Sequence, residues 1–467
     1  MRKDTKEKQY KSKQKKANLK NQLPQHLQHI NKMAAGIDIG SNSHYVAIPE
    51  GCDDICVREF KSFTVDLIAL ANWLENCGIE TIAMESTGVY WIPLYELLES
   101  RGFEVKLVDA RHVKNVSGRK TDVLDCQWLQ QLHTYGLLNG AFRPTEQICV
   151  LRSYMRQRSM LIQYASNHIQ HMQKALSQMN LQLHNVITDI TGETGMNIIR
   201  AIVDGERDPQ KLARYRHSRC KNSLATIEKS LEGNYREEHI FALAQALQLY
   251  DVYISKSIAC DERIEEQLSV FENRVVLDQT NEQPIELTKK ARTRTKNSLK
   301  FDVHSHLIRV TGVDLTAIPG IEASTALKIV SEIGLDLSRW QNPKQFSSWL
   351  GLCPGNKVSG GKRLSGKSKR TSNNAASALR MAASTLYRSD SALGAFFRRL
   401  RSRLGAPKAT TATAHKLATI IYSMIKTRSE YREVGQDYYE KQYRERMVKN
   451  LSLRAKTFGF ELKEIAC

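Results

Sequence analysis

Three regimes of apolar and polar patterning divide this chain. Between 34 and about 145, short apolar runs bounded by Gly, Ser and charged residues alternate with segments of helical period. The runs 34–39, 43–48, 55–60, 79–85 and 104–109 read as strands, and 64–77, 91–101 and about 121–135 as helices. Three closely spaced strands, then helix, strand, helix and strand, predict an α/β domain on a mixed sheet over 34–145, with Pro144 marking its end. From 146 to 270 apolar residues recur at spacings of three and four, most regularly over Ile148–Met179 and His239–Val270. Long antiparallel helices follow, a coiled coil suited to oligomerisation. Residues 271–302 turn polar and charged and read as a linker or insertion. Helical period returns over 303–430, with helices expected at 373–388, 391–403 and 409–427. It is broken by Ile318-Pro319-Gly320-Ile321 and by a Gly/Ser/Lys-rich loop at 351–370. Residues 1–33 form a basic flexible arm and 431–467 a basic helical tail.

Charge sharpens this picture. The net charge is +20, and it is unevenly placed. Residues 1–33 hold ten Lys/Arg against two acids, residues 351–467 hold 24 against eight, and the rest is close to neutral. Cations concentrated at both ends are the footprint of phosphate-backbone binding. The length allows two or three domains. No run of 18 apolar residues exists, which argues against a membrane span, and no apolar segment follows the basic start as in a secretory signal. Nine cysteines without a CxxC pair argue against a disulfide framework or structural zinc and fit a reducing cytoplasm.

Against this basic background, four acids stand out. Asp38 and Glu85 close two apolar strand runs, and Asp122 and Asp125 lie three apart on a helical segment. Carboxylates so placed can converge on a pair of hard divalent cations flanking a scissile phosphate. Any one alone reads rather as an ordinary surface acid at an element end; it is the four in this order that point to function. The segment Gly36-Ile37-Asp38-Ile39-Gly40-Ser41 also resembles the opening of actin-like ATPases, but no second phosphate loop or Gly-rich adenosine loop follows. Ser359 precedes Gly360-Gly361-Lys362 amid Lys357, Lys362, Arg363, Lys367, Lys369 and Arg370. A serine there could attack a phosphodiester, but on the residues alone the loop reads rather as a plain phosphate contact. The turn at Gly320 reads either as a helix-hairpin-helix binding one backbone phosphate or as a tight turn between core helices. Arg398 and Arg399 add cations at a helix end. His168 and His171 lack further clustered ligands and read as surface or core histidines.

The motifs Gly-Ile-Asp-Ile-Gly, Met-Glu-Ser-Thr-Gly-Val-Tyr-Trp, Lys-Thr-Asp-Val-Leu-Asp, Ile-Pro-Gly-Ile and Gly-Leu-x-Pro…Ser-Gly-Gly-Lys occur in that order. Together they resemble the DEDD-type transposases of bacterial insertion sequences, the RNA-guided bridge recombinases, over nearly all of 34–430. The resemblance implies a RuvC-like, RNase H-fold domain, a helical coiled-coil domain and a mostly helical C-terminal transposase domain. It implies that Asp38, Glu85, Asp122 and Asp125 bind Mg2+ as two ions, with Mn2+ an alternative. Ser359 becomes the nucleophile that forms a covalent phosphoserine. Donor and target DNA, a structured noncoding guide RNA and a homo-oligomer built as a dimer of dimers are the implied partners, with active sites shared between subunits. Two departures stand out: Glu322 replaces the hairpin's second glycine, and Ser372 stands where a glycine often follows the serine loop. Two rivals remain, a metal-dependent RuvC-like junction endonuclease and a non-enzymatic basic nucleic-acid-binding protein.

Overall fold

The structure, a computed structural model, describes residues 31–109, 121–275, 296–369 and 371–463. Most of the basic arm 1–33, the middle of the 271–302 linker and Arg370 lie outside the described residues. Two compact units divide the chain between Arg143 and Pro144.

The first unit runs β1 (Ala34–Ile39), β2 (Ser43–Ala47), β3 (Val57–Lys61), α1 (Thr64–Asn76), β4 (Thr81–Glu85), α2 (Trp91–Ser100), β5 (Glu104–Val108) and α3 (Asp122–Thr134). The sheet order is β3-β2-β1-β4-β5; β1 to β3 are antiparallel neighbours, and β4 and β5 run parallel to β1. β1 is central and nearly all buried, which explains its continuous apolar run. Its side chains alternate between two helical layers. Ile37, Ile39, Ile82, Met84 and Leu107 pack with Leu67, Leu70 and Leu74 of α1 and Leu94 and Leu98 of α2. On the other face Ala83 and Val108 meet Leu129 of α3. The mixed α/β domain predicted from the patterning is present, with β3 starting at Val57 rather than 55.

The second unit opens with α4 (Glu146–Gln178), followed by α5 (Leu183–Val186), α6 (Glu193–Val203), α7 (Pro209–Ala213), α8 (Leu224–Ser230) and α9 (Glu237–Val270). Gln147 meets Gln267, Arg158 pairs with Asp261, and Tyr164 packs on Tyr253, so α4 and α9 run antiparallel. The long antiparallel helices predicted from Ile148–Met179 and His239–Val270 are α4 and α9. The stretch between them breaks into four short helices, because Gly192, Gly205 and Pro209 interrupt it. Those helices close a core of Met172, Leu176, Ile198, Ile199, Ile202, Leu212 and Leu243 at one end of the pair.

The remainder is α10 (Val303–Thr311), α11 (Ala323–Ile333), α12 (Pro343–Trp349), β6 (Lys357–Ser359), β7 (Lys362–Ser365), α13 (Asn374–Thr385), α14 (Ala392–Leu404), α15 (Ala406–Thr427) and α16 (Gln436–Thr457). One buried carboxylate joins this part to α4. Glu332 of α11, 6% exposed, accepts two hydrogen bonds from Arg156 at 3.0 and 2.9 Å and one from Asn374 at 3.0 Å. Arg152 reinforces the junction by donating to the Ser331 and Glu332 carbonyls. Burial opposes ionisation of Glu332, but these hydrogen bonds and the Arg156 and Arg152 charges outweigh it and hold the carboxyl below its usual range. No helix among the described residues is long and apolar enough to cross a membrane.

Candidate active site

In the first unit the sheet register aligns two of the acids. Ile37 of β1 pairs with Met84 of β4, so the next residues, Asp38 and Glu85, stand side by side at the strand ends. Neighbouring strands lie about 4.8 Å apart, and residues directly opposite share a face. Asp38 shares its face with Gly36, two residues earlier, and Gly36 marks where α3 crosses the sheet. A Cβ at Gly36 would fall 2.3 Å from the Gln130 nitrogen and 2.4 Å from the Cys126 carbonyl oxygen. Only glycine admits the helix backbone this close.

The other two acids arrive on that helix. Thr121 caps α3, its hydroxyl accepting from the Leu124 N–H at 3.3 Å, and places Asp122 and Asp125 in the first turn. Acids there also suit the helix dipole, a purely structural benefit. The Cys126 thiol registers their company: burial, then the Asp38 charge, with Asp125 also contributing, pushes it up to about 12. Asp122 is exposed, while Asp38, Glu85 and Asp125 are half-buried. The Thr87 hydroxyl donates to Glu85 at 3.1 Å.

Two members of this face were missed by sequence reasoning. Asp38 pairs across β2 with Tyr45, and Tyr45 pairs across β3 with Glu59, which extends the row to the sheet edge. Burial, the Glu59 charge and hydrogen bond, and the Asp122 charge raise the Tyr45 phenol. Period-two counting from Asp38 through the β1–β2 turn was the signal that could have found them.

Hard oxygen donors on one face suit a hard divalent cation. Among the described residues, however, no three carboxylate, imidazole or thiol groups stand close enough together to hold a metal ion. The donor type suits Mg2+, but the four acids are not drawn together into a ligand set.

In the second unit, the expected flexible loop at 351–370 is instead a β-hairpin. Ser359 pairs with Lys362 across Gly360-Gly361, whose φ values of 54° and 74° are both left-handed. Two residues of that conformation make the type I′ turn that suits a tight hairpin, and glycine adopts it without strain. The Gly355 N–H donates to the Lys367 carbonyl at 3.0 Å and fastens the hairpin base. Val358 and Leu364 are 60% and 69% exposed, so the hairpin projects rather than packs. Ser359, Lys362, Lys367 and Lys369 are exposed. Among the described residues no side chain hydrogen-bonds Ser359 and no carboxylate pairs with Lys362.

The remaining expected contacts fall elsewhere. Gly320 has φ 83°, and a Cβ there would sit 3.0 Å from the Ala382 carbonyl of α13, so this turn is shaped by helix packing. Arg398 donates to the Tyr387 and Ser389 carbonyls at 3.1 and 2.7 Å and to Gln436. Arg399 lies over the rings of Tyr439 and Tyr443 at 4.7 and 3.6 Å. Both arginines fasten α16 to α14. Arg401 and Arg403 are the exposed cations of that helix.

Residues 35–181 match the family model for the DEDD domain of IS110 transposases, described as a transposase. Residues 314–398 match the model described as the transposase IS116/IS110/IS902 family. The first match contains Asp38, Glu85, Asp122 and Asp125, and the second contains Ser359. Among curated proteins none matches the chain.

Proposed function

We propose, from the two matched segments, that the chain acts as a DEDD-type transposase of the IS110 family, an enzyme of DNA transposition that cleaves and rejoins strands. In this reading Ser359 is the nucleophile, and Asp38, Glu85, Asp122 and Asp125 are the metal ligands. The observation that carries this reading is the placement of Asp38 beside Glu85 on the sheet face that α3 crosses with Asp122 and Asp125 in its first turn. We take the first unit as RuvC-like, with the RNase H type of fold.

Attack by Ser359 Oγ forms a bond to phosphorus and breaks one phosphorus–oxygen bond to sugar, the electron pair leaving with that oxygen. The Oγ proton passes to water, and the departing oxygen takes a proton from water. The resulting phosphoserine conserves the bond energy, so a second sugar hydroxyl can reverse the step and rejoin a strand. Mg2+ held by Asp38, Glu85, Asp122 and Asp125 would supply positive charge at the phosphate when bound. Thr87 donates to Glu85, and Asp122 and Asp125 lie in the capped first turn of α3.

Partners belong to the same proposal: donor and target DNA, a structured guide RNA and an assembly of four chains. The basic ends of the sequence support the nucleic-acid partners. Base pairing would carry sequence choice, and the protein would read backbone and shape.

A covalent-adduct assay tests the reading, using supercoiled donor and target DNA with and without RNA transcribed from the flanks of the gene. Ser359→Ala is expected to lose both the adduct and recombination. Asp38→Asn is expected to lose them with folding intact. Cutting by Ser359→Ala at the parent rate would make the protein a metal-dependent nuclease instead, and full activity of Asp38→Asn would remove the acid face from the chemistry.

A further inference from the structure

The serine hairpin carries more than a nucleophile. Residues 337–389, 53 in a row, contain ten Lys/Arg and no Asp, Glu or His. No carboxylate or imidazole within that stretch can therefore take the Ser359 proton, and what its lysines and arginines offer a reacting phosphate is positive charge. Composition does not rank these cations; the hairpin register does. Because the turn is only Gly360-Gly361, Ser359 and Lys362 are obligatory cross-strand partners. Directly opposed residues share a face with Cβ atoms about 4.5–5.5 Å apart. A lysine side chain, with its compact ammonium and three donors on a four-carbon stem, reaches a phosphate bonded to the facing hydroxyl oxygen. No carboxylate among the described residues competes for that ammonium. Both left-handed glycines serve this pairing, since a longer or differently shaped turn would shift the register and move Lys362 off Ser359.

We infer that Lys362 is a catalytic residue: its ammonium, paired across the turn with Ser359, donates to a non-bridging oxygen of the attacked phosphate. This rests on Ser359 as the nucleophile. As the Oγ–phosphorus bond forms, negative charge grows on the non-bridging oxygens, and Lys362 meets it there. The ammonium keeps its protons throughout; the Oγ proton and the leaving oxygen exchange with water as before. The ordinary alternative is a solubilising or backbone-contacting lysine beside a turn, which would add affinity without favouring the transition state.

The experiment measures single-turnover adduct formation at saturating DNA, with DNA affinity measured separately, in the full chain with its RNA. Lys362→Met is expected to slow adduct formation ~10²–10³-fold, the usual cost of one lost donor to a developing oxyanion. Lys362→Arg, which keeps charge and donors, is expected to recover at least tenfold of that loss, a rescue that a merely structural role would not produce. A Lys362→Met rate at saturation within about threefold of the parent, with only affinity reduced, would overturn the inference and leave Lys362 a backbone contact. Equal rates for the Met and Arg variants would overturn it as well. Ser359→Ala separates the two levels: an adduct that persists in that variant defeats the nucleophile reading itself, whatever Lys362 does.

Discussion

Gly36→Ala is the smallest change that links the fold of the first unit to its chemistry. The added methyl would lie 2.3 Å from the Gln130 nitrogen, 2.4 Å from the Cys126 carbonyl oxygen and 2.8 Å from the Gln130 Cα. All three are backbone atoms, so no side chain can swing away. To restore contacts nearer 3.5 Å, α3 must withdraw by about 1 Å from β1. Overpacking of this kind costs ~1–3 kcal/mol. For a unit of about 100 residues, each kcal/mol lowers the melting temperature by ~4–8 °C. The withdrawal also separates Asp122 and Asp125, which ride on α3, from Asp38 and Glu85, which are fixed to the sheet. A misplacement of about 1 Å at a reacting centre can cost ~10²-fold in rate. Calorimetry of the full chain should therefore show the first unit's transition falling by ~5–20 °C, and the adduct assay at a temperature where the variant is folded should show a large rate loss. A melting temperature within about 2 °C of the parent, together with parental activity, would refute the close helix–sheet crossing on which the acid face depends.

Three further outcomes follow from buried or paired groups. Burial, aided by the Lys106 charge, lowers His133 from 6.5 to about 4, so below pH 6.5 the unfolded chain binds a proton that the folded chain refuses; stability should fall by ~3 kcal/mol as pH drops from 6.5 to 4, and urea titrations should show His133→Gln flattening that slope, an unchanged slope counting against it. Glu332→Ala strands the arginines of α4 and should cost ~3–5 kcal/mol in the second unit. The depressed carboxyl also means that this stabilisation is present above its ordinary pKa of 4.5 and is lost as pH falls below it, so a parental urea midpoint for the variant at pH 7 would contradict the junction. Arg399→Ala removes the cation between Tyr439 and Tyr443, at ~1–2 kcal/mol, and should speed protease cleavage between α15 and α16, whereas unchanged cleavage would show that α16 is held by other contacts.

What could be read in advance, and what could not, divides along a physical line. The sheet and the long helices were legible because burial imposes a period on many consecutive residues, as in the wholly apolar β1 and the three-and-four spacing of α4 and α9. The four acids were legible as candidates because strand ends and a capped first turn are local features. Their arrangement was not, since it depends on a single tertiary contact at Gly36, a residue that looks like any other loop-edge glycine. The hairpin escaped because β6 spans only Lys357–Ser359 and its register shifts between Lys357 and Val358, leaving no alternation to count. Gly360-Gly361 between Ser359 and Lys362 was the available clue, since paired glycines favour a two-residue turn. The arginines make the same point with charge. Arg398 and Arg403 are equally basic in the sequence, yet the first is committed to the Tyr387 and Ser389 carbonyls and the second is exposed. A charge count tells how many cations a phosphate could meet, but only register and partners tell which of them it does meet. By that criterion the cation to test first is Lys362, because the backbone itself holds it opposite Ser359.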